Sequence, residues 1–370
     1  MSLSVTAEPQ WCLRESGVAT LTSSGPTRSW SLVAGCHCLR LNEEKTREIT
    51  VNQIRLFPAD IGAPVQFKNG RIIGPLGDAP IVVSLGVGVD SVAMLVEMHR
   101  RGIRPDTIIT ALVGQGEYGN EHPRFYLYLP LLDAWLKQAG FPAITFVRYE
   151  LGRKAKHHYY ESLAGNCISN RTLPSIAFRR NHSCSLKWKG DQIDKHVTAV
   201  YGNQPCYRLV GYDCTEIKRV GRFSTKTKPG GPRANDMYLH PLQLWGMNRG
   251  DCERAIIQAG LPSPGKSSCV FCPSMKPEEI DDLDPASLWV IVILEANASP
   301  NLKTIKGLWG HDGRMTDYIL MRNLLPATMV QEVWDRWSAE TQPSELTGNP
   351  AAVADEVLFS EVKRMAALSV

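Results

Sequence analysis

The run from Pro80 to Gly102 constrains the fold more than any other part of the chain. It opens with "PIVVSL", a short, wholly apolar strand. A glycine-bearing turn, "GVGVDS", follows. "VAMLVEMHRRG" then repeats apolar residues at helical spacing and stops at Gly102. The pattern recurs downstream. "DTIITALV" is a second buried strand, a helix is expected over residues 121–139 and ends at Gly140, and "AITFVRY" is a third strand. "CYRLVGYD" (206–213) is expected to join the same sheet. Strand and helix in alternation imply an α/β fold with a parallel sheet and right-handed crossovers.

The flanks read differently. Residues 1–50 are rich in Ser, Thr and Gly and hold no sustained period of 2 or 3.6, so they are expected to be a poorly ordered or peripheral extension. Residues 51–76 read as a small β element, because Asn69-Gly70 sits between two apolar runs as a hairpin turn does. After the fourth strand come a basic segment, "LHPLQLWGM", a helix around 249–259, a cysteine motif and a mostly helical tail. The expected division is 1–76 as N-terminal extension, 77–300 as the domain carrying the loop and the inserted cysteine motif, and 301–370 as a helical C-terminal region.

At 43% hydrophobic and 21% charged residues, the composition is that of a soluble globular protein. A formal charge of +4 is too small to identify a nucleic-acid partner, so local clustering has to carry that argument. No apolar run approaches the roughly 20 residues that cross a bilayer, and no secretory signal pattern opens the chain. The expectation is a cytoplasmic protein with no membrane partner. In a reducing compartment the ten cysteines point to metal or redox chemistry, or to small buried side chains, before disulfides.

A glycine-rich turn between a buried strand and a helix suits phosphate binding, because backbone N–H groups approach the anion and the helix N-terminus adds positive dipole. Ser84 to Ser91 lacks the Lys of a Walker A loop. It also carries Ser91 where a dinucleotide fingerprint wants a third glycine. The form S-x-G-x-x-x-D-S resembles the loop of PP-loop ATP pyrophosphatases, which cleave ATP between the α- and β-phosphates. On that reading Ser84, Gly88 and Ser91 hold the pyrophosphate, and Asp90 either caps the helix or positions Mg²⁺. The competing reading is a plain βα turn with Asp90-Ser91 as its cap.

Cys269-Val270-Phe271-Cys272-Pro273 puts two thiolates on one metal or cluster. Cys184 in "NHSCSLKWK" is the preferred distant partner, with Lys187 and Lys189 beside it to keep a thiolate or bind an anion. Cys206, Cys214 and Cys252 are the other candidates. Three cysteines on a [4Fe–4S] cluster leave one iron open, and four suit a closed cluster or a zinc staple. Iron–sulfur is preferred on the odd count, zinc is the alternative, and a metal-free buried C-x-x-C stays open.

Taken in order, "VVSLGVGVDSVAML", "CSLKWK" and "HPLQLWGMNRGDCERAIIQAGLPSPGKSSCVFCPSMKPEEI" resemble the phosphoadenosine phosphosulfate reductase-like family, a PP-loop group common in phages and bacteria. The resemblance spans residues 78–300. It implies a five-stranded parallel sheet of the adenine nucleotide α-hydrolase-like type. It also implies ATP or an adenylyl sulfate at Ser84, Gly86, Gly88, Asp90 and Ser91. The chain lacks the Glu-Cys-Gly-Ile/Leu-His motif of assimilatory sulfonucleotide reductases. A separate cysteine followed by C-x-x-C is more similar to PP-loop thiolases that adenylate a nucleic-acid base and let sulfur displace AMP.

Lys218, Arg219, Arg222, Lys226, Lys228 and Arg233 fall in one stretch with no acid among them. Such a loop either tracks a nucleic-acid backbone, of tRNA or DNA, closes over a triphosphate, or is simply solvated. Arg179 and Arg180 would add to that face. His157, His158, Tyr159 and Tyr160 are read as packing residues, and His311 and Asp312 as part of a structural turn. The reading that follows is an ATP-dependent transferase with Asp90, Ser91 and Lys187 as catalytic candidates, ATP and Mg²⁺ at the loop, and Cys184, Cys269 and Cys272 as metal ligands. The rivals are a sulfonucleotide reductase releasing sulfite and a zinc-stapled nucleotide-binding module.

Overall fold

The computed structural model describes residues 65–114, 119–149, 160–178, 183–217, 233–265, 267–339 and 354–369, with the backbone of Val18–Thr20 (β1) and Ser31–Val33 (β2), which pair antiparallel. Several expectations lie outside the described residues: the rest of the N-terminal extension, Arg179 and Arg180, the histidines at 157 and 158 with Tyr159, and the basic run up to residue 232. Asn69-Gly70 turns the chain between Gln66–Lys68 (β3) and Arg71–Ile73 (β4), with φ of 52° and 78°. Left-handed φ at both central residues is what a tight hairpin requires, and Asn-Gly supplies it at least cost.

The main sheet holds Ile81–Ser84 (β5), Thr107–Leu112 (β6), Ile144–Arg148 (β7), Tyr207–Val210 (β8) and Met237–Leu239 (β9). All neighbours are parallel, in the order β7-β6-β5-β8-β9. The fold is α/β. Four of the strands are those the apolar runs predict. The fifth, β9, has three residues and lies directly between a polar turn and the short helix Pro241–Leu244.

Strand alternation assigns the faces. Ile81 and Val83 point into a core with Val89–Arg100 (α1), Pro123–Gln138 (α2) and Arg249–Gln258 (α5), while Val82 and Ile109 point to the other side, against Asp191–Tyr201 (α4). A further apolar core joins Leu163–Ser169 (α3) to Pro285–Ala298 (α6), Met315–Met321 (α7), Ala327–Ser338 (α8) and Ala354–Leu368 (α9). Every residue from Ser287 to Ala298 of α6 is buried. The one carboxylate there, Glu295, accepts from the N–H groups of Leu308 (2.7 Å), Met315 (3.0 Å) and Thr316 (2.9 Å) and from the Thr316 hydroxyl (2.6 Å). It pins the turn containing His311 and Asp312 against the helix, which is a structural role. No helix among the described residues is long and apolar enough to cross a membrane.

The strand order has a functional consequence. The chain builds outward from β5 to β7 and then returns to the opposite side of β5 to add β8. The β5/β8 boundary is therefore the topological switch point, where loops leaving the strand ends diverge and open a crevice.

Candidate functional site

The predicted phosphate loop stands at this crevice. Leu85 is tied to β6 through its N–H to Ile109 O (2.8 Å), and its carbonyl accepts from the Thr110 hydroxyl (3.0 Å). Beyond it Gly86 is exposed and Gly88 half-buried, so their backbone is open to a ligand. Val87 between them is buried and holds φ at 56°, a region costly for a β-branched residue. Gly88 is the N-cap of α1, and the Ser91 hydroxyl donates back to Gly88 O (3.0 Å) and accepts from Gly88 N–H (3.2 Å). Ser84 ends β5 opposite Val210.

Asp90 does not cap the helix. It lies in the first turn, where its carboxylate accepts from Arg249 at the start of α5 (3.0 Å). Burial raises the Asp90 carboxyl above its ordinary range; Arg249 opposes this, and Asp213 and Glu216 add to it. Across the crevice Gly211 packs directly on the Asp90–Ser91 backbone: a Cβ there would lie 2.7 Å from Ser91 Cα. His240 lies behind this wall, its Nδ1 3.4 Å from Val210 O and its ring 5.2 Å from that of Tyr212. Burial pushes the imidazole down to about 4.

The cysteine motif arrives at the same place. Residues 268–270 run antiparallel to 120–122: His122 N–H donates to Ser268 O (2.9 Å) and Val270 N–H to Asn120 O (2.9 Å). This pairing lays Ser267 over the loop, where its hydroxyl donates to Gly86 O. A Cβ on Gly88 would stand 3.2 Å from Ser267 Cβ. The loop is thus in direct contact, across 181 residues of sequence, with the segment that leads into the C-x-x-C.

Cys269 and Cys272 are hydrogen-bonded to each other. That bond, then burial and the neighbouring Cys272 and Glu121 charges, hold the Cys269 thiol well above the ordinary cysteine range, with Lys189 pulling the other way. Lys189 Nζ stands 3.4 Å from Glu121 Oε2. Burial works against the Lys189 charge, but Glu121 and the two thiols outweigh it and the ammonium is held above its usual range. Glu121 is itself buried, its Oε1 accepting from Val113 N–H (3.0 Å). Glu121 and Ser267 are the members that sequence reasoning missed.

The other predicted residues lie elsewhere. Cys184 and Lys187 line a separate cavity. The Lys187 ammonium sits 4.9 Å from the centre of the Tyr149 ring. Cys206, Cys214 and Cys252 are buried. Arg233, counted above with the basic run, is an internal anchor: it is 6% exposed and donates to Gly202 O (2.8 Å), Gln204 O (2.9 Å) and Asp236 (2.8 Å). A guanidinium committed in this way is not available to track a phosphate backbone.

The donor set so assembled is one thiol pair, short of the three or four ligands that zinc or a [4Fe–4S] cluster takes. Among the described residues no group of three or more His, Cys, Asp or Glu side chains stands where it could hold a metal ion. No family model matches the chain, and neither does any curated protein. The site is therefore read from its geometry: a strained, open glycine loop at the switch point of a parallel sheet, with a half-buried thiol pair and a lysine–glutamate pair attached to its rim.

Proposed function

We propose that the chain is an ATP-dependent PP-loop transferase, built on a sheet of the adenine nucleotide α-hydrolase-like type, that adenylates an acceptor and releases pyrophosphate. The observation that carries this reading is the Ser267–Gly86 contact, because it brings a phosphate loop and a thiol pair into one site. A plain βα turn has no use for such an arrangement, nor for the strain at Val87.

The roles follow from the chemistry. N–H groups at Gly86–Ser91 and the positive end of α1 hold the β- and γ-phosphates. An acceptor oxygen attacks the α-phosphorus, the α–β bridging bond breaks, and pyrophosphate leaves. Asp90, with Arg249 fixing its orientation, would hold the Mg²⁺ that neutralises charge on the departing group. A sulfur nucleophile then bonds to the activated carbon, and AMP departs with the acceptor's former oxygen. The Lys189 charge beside Cys269 and Cys272 opposes, without overcoming, the hydrogen bond and burial that keep the Cys269 thiol protonated. A metal or iron–sulfur cluster on Cys269 and Cys272 would need a further ligand; Cys184, the candidate that the sequence offers, stands in a separate cavity. The acceptor is proposed to be a nucleic-acid base or a related carbonyl compound, and the setting a reducing, ATP-rich cytoplasm.

The test is formation of AMP and pyrophosphate from ATP. Asp90→Ala and Ser91→Ala should each abolish pyrophosphate release while the chain stays folded; turnover at the parent rate would remove the loop assignment. Anaerobic purification with iron, zinc and sulfide analysis addresses the thiols, with loss of metal in Cys269→Ala as the expected result.

A further inference from the structure

The turn that carries the C-x-x-C is a fixed frame for two sulfurs. Cys272 N–H donates to Cys269 O (3.1 Å), which closes the four residues into a β-turn. Such a turn holds its first and last Cα atoms within about 7 Å, close to the roughly 4.4–6.8 Å that a disulfide spans. Val270 and Phe271 between them are buried in the helical core. Past the turn, Met275 N–H donates to Cys272 O (2.8 Å), and Met275 O accepts from the Trp309 indole (2.9 Å). The two cysteines are half-buried, with their thiols hydrogen-bonded to each other. Among the other described cysteines, Cys167, Cys206, Cys214 and Cys252 are buried, and Cys184 lines a separate cavity. Cys269 and Cys272 are thus the described pair that an oxidant in solution reaches with both sulfurs already in contact.

Two thiols fall short of the donor set of a zinc or [4Fe–4S] site, but they are complete for another chemistry. We propose that Cys269 and Cys272 form a redox switch on the phosphate loop, closing into a disulfide with a small-molecule disulfide such as oxidised glutathione as the oxidant. One S–S bond forms between the two side chains and the S–S bond of glutathione disulfide breaks. The two protons and two electrons of the cysteines leave on two glutathione thiols. Exposed disulfides are the readily reduced ones, which suits a reversible device. Any metal on the pair leaves in the same step, because thiolates are what bind it.

Ser267 links the pair to the loop. Forming the bond draws the sulfurs together by more than about 1 Å. The Cys272 end is anchored through Met275 and Trp309, so the shift falls on the Cys269 end, two residues from the Ser267 hydroxyl that donates to Gly86 O. The open backbone of the glycine loop loses that support. Lys189 loses both thiol neighbours at once and is left to Glu121, 3.4 Å away. Neither the disulfide nor the loop response depends on ATP; only the effect on turnover rests on the transferase reading.

The experiment equilibrates the full chain, as purified, in glutathione buffers from reduced to oxidised and alkylates the remaining thiols in denaturant. Peptide mass spectrometry should show Cys269 and Cys272 joined in the oxidised buffers and both alkylated in the reduced ones. Hydrogen exchange over residues 85–92 should be about ten-fold faster in the disulfide form. The double substitution Cys269→Ser, Cys272→Ser should abolish that response to the buffer. Ser267→Ala should still form the disulfide, with loop exchange then equal in both forms. Pyrophosphate release from ATP should fall on the order of 10²-fold on oxidation and return with dithiothreitol. A chain that forms the disulfide and loosens the loop, yet releases no pyrophosphate in either form, keeps the switch and removes the transferase reading. The proposal is overturned if both thiols stay alkylatable in the oxidised buffers, or if either is joined only to glutathione or to a different cysteine. It is equally overturned if loop exchange is the same in both forms of the parent chain, or if the disulfide form releases pyrophosphate at the rate of the reduced one.

Discussion

Gly211→Ala tests the switch-point reading most directly. The added Cβ would meet Ser91 Cα at 2.7 Å and the carbonyl carbon and oxygen of Asp90 at 2.8 Å, against an ordinary contact distance that begins at 3.4 Å. All three obstacles are backbone, so no side chain can swing aside. Either the end of β8 or the first turn of α1 must move by about 0.7 Å. Overpacking of this kind costs about 1–3 kcal/mol of stability. The consequence for the proposed chemistry is larger, because misplacing a reacting group by about 1 Å lowers turnover on the order of 10²-fold. Gly190→Ala is the matched control. Its φ is −57° and the nearest atom to an added Cβ, Ser185 O, is 3.9 Å away, so it should gain up to about 1 kcal/mol from helix propensity. Urea unfolding measures stability, and pyrophosphate release from ATP measures turnover. A folded Gly211→Ala protein that released pyrophosphate at the parent rate would show that the phosphates do not lie between β5 and β8.

Acid sensitivity should trace to His240. Its imidazole is held neutral, lowered from 6.5 to about 4 by burial, so unfolding takes up a proton across that window. Stability is complete above 6.5 and falls as pH drops toward 4, by about 3 kcal/mol in total. His240→Gln should flatten this limb in urea titrations run at pH values between about 7 and 4, and an unchanged slope would contradict the assignment. Glu295→Ala strands three buried N–H groups and a hydroxyl and should cost about 3–5 kcal/mol in thermal or urea unfolding. Glu295→Gln retains one of the two acceptor oxygens and should cost less than the alanine; equal losses would mean that the clamp acts through volume alone.

What the sequence discloses and what it hides divide by distance along the chain. β5 and α1 are legible because each satisfies a local rule: a strand apolar on both faces, then helical periodicity interrupted only by glycine. Asn69-Gly70 is legible for the same reason, since two adjacent residues set the turn. β9 is missed because "MYL" is too short to show alternation. Glu121 is missed because it reads as the polar first residue of the helix expected over 121–139, and its importance comes from Lys189, 68 residues away. Ser267 touches Gly86 across 181 residues, and the only local hint is a pair of serines ahead of Cys269.

Lys187 and Lys189 show how a local rule can mislead. Two positions apart, beside Cys184, they read as one basic face serving one thiolate. The chain instead passes through a π-helical turn over Leu186–Gly190, so their side chains diverge. Trp188 between them is buried and fixes the turn in the helical core, with the Gln192 amide donating to Lys187 O (2.8 Å). Lys189 is thereby committed to Glu121 beside the thiol pair, and Lys187 to the rings of Tyr149, Trp188 and Tyr160. If the two lysines act separately, Lys189→Met should lower pyrophosphate release from ATP, while Lys187→Met should leave it at the parent rate. A single shared site predicts that both substitutions impair pyrophosphate release, and that result would return the two lysines to the single basic face their spacing suggests.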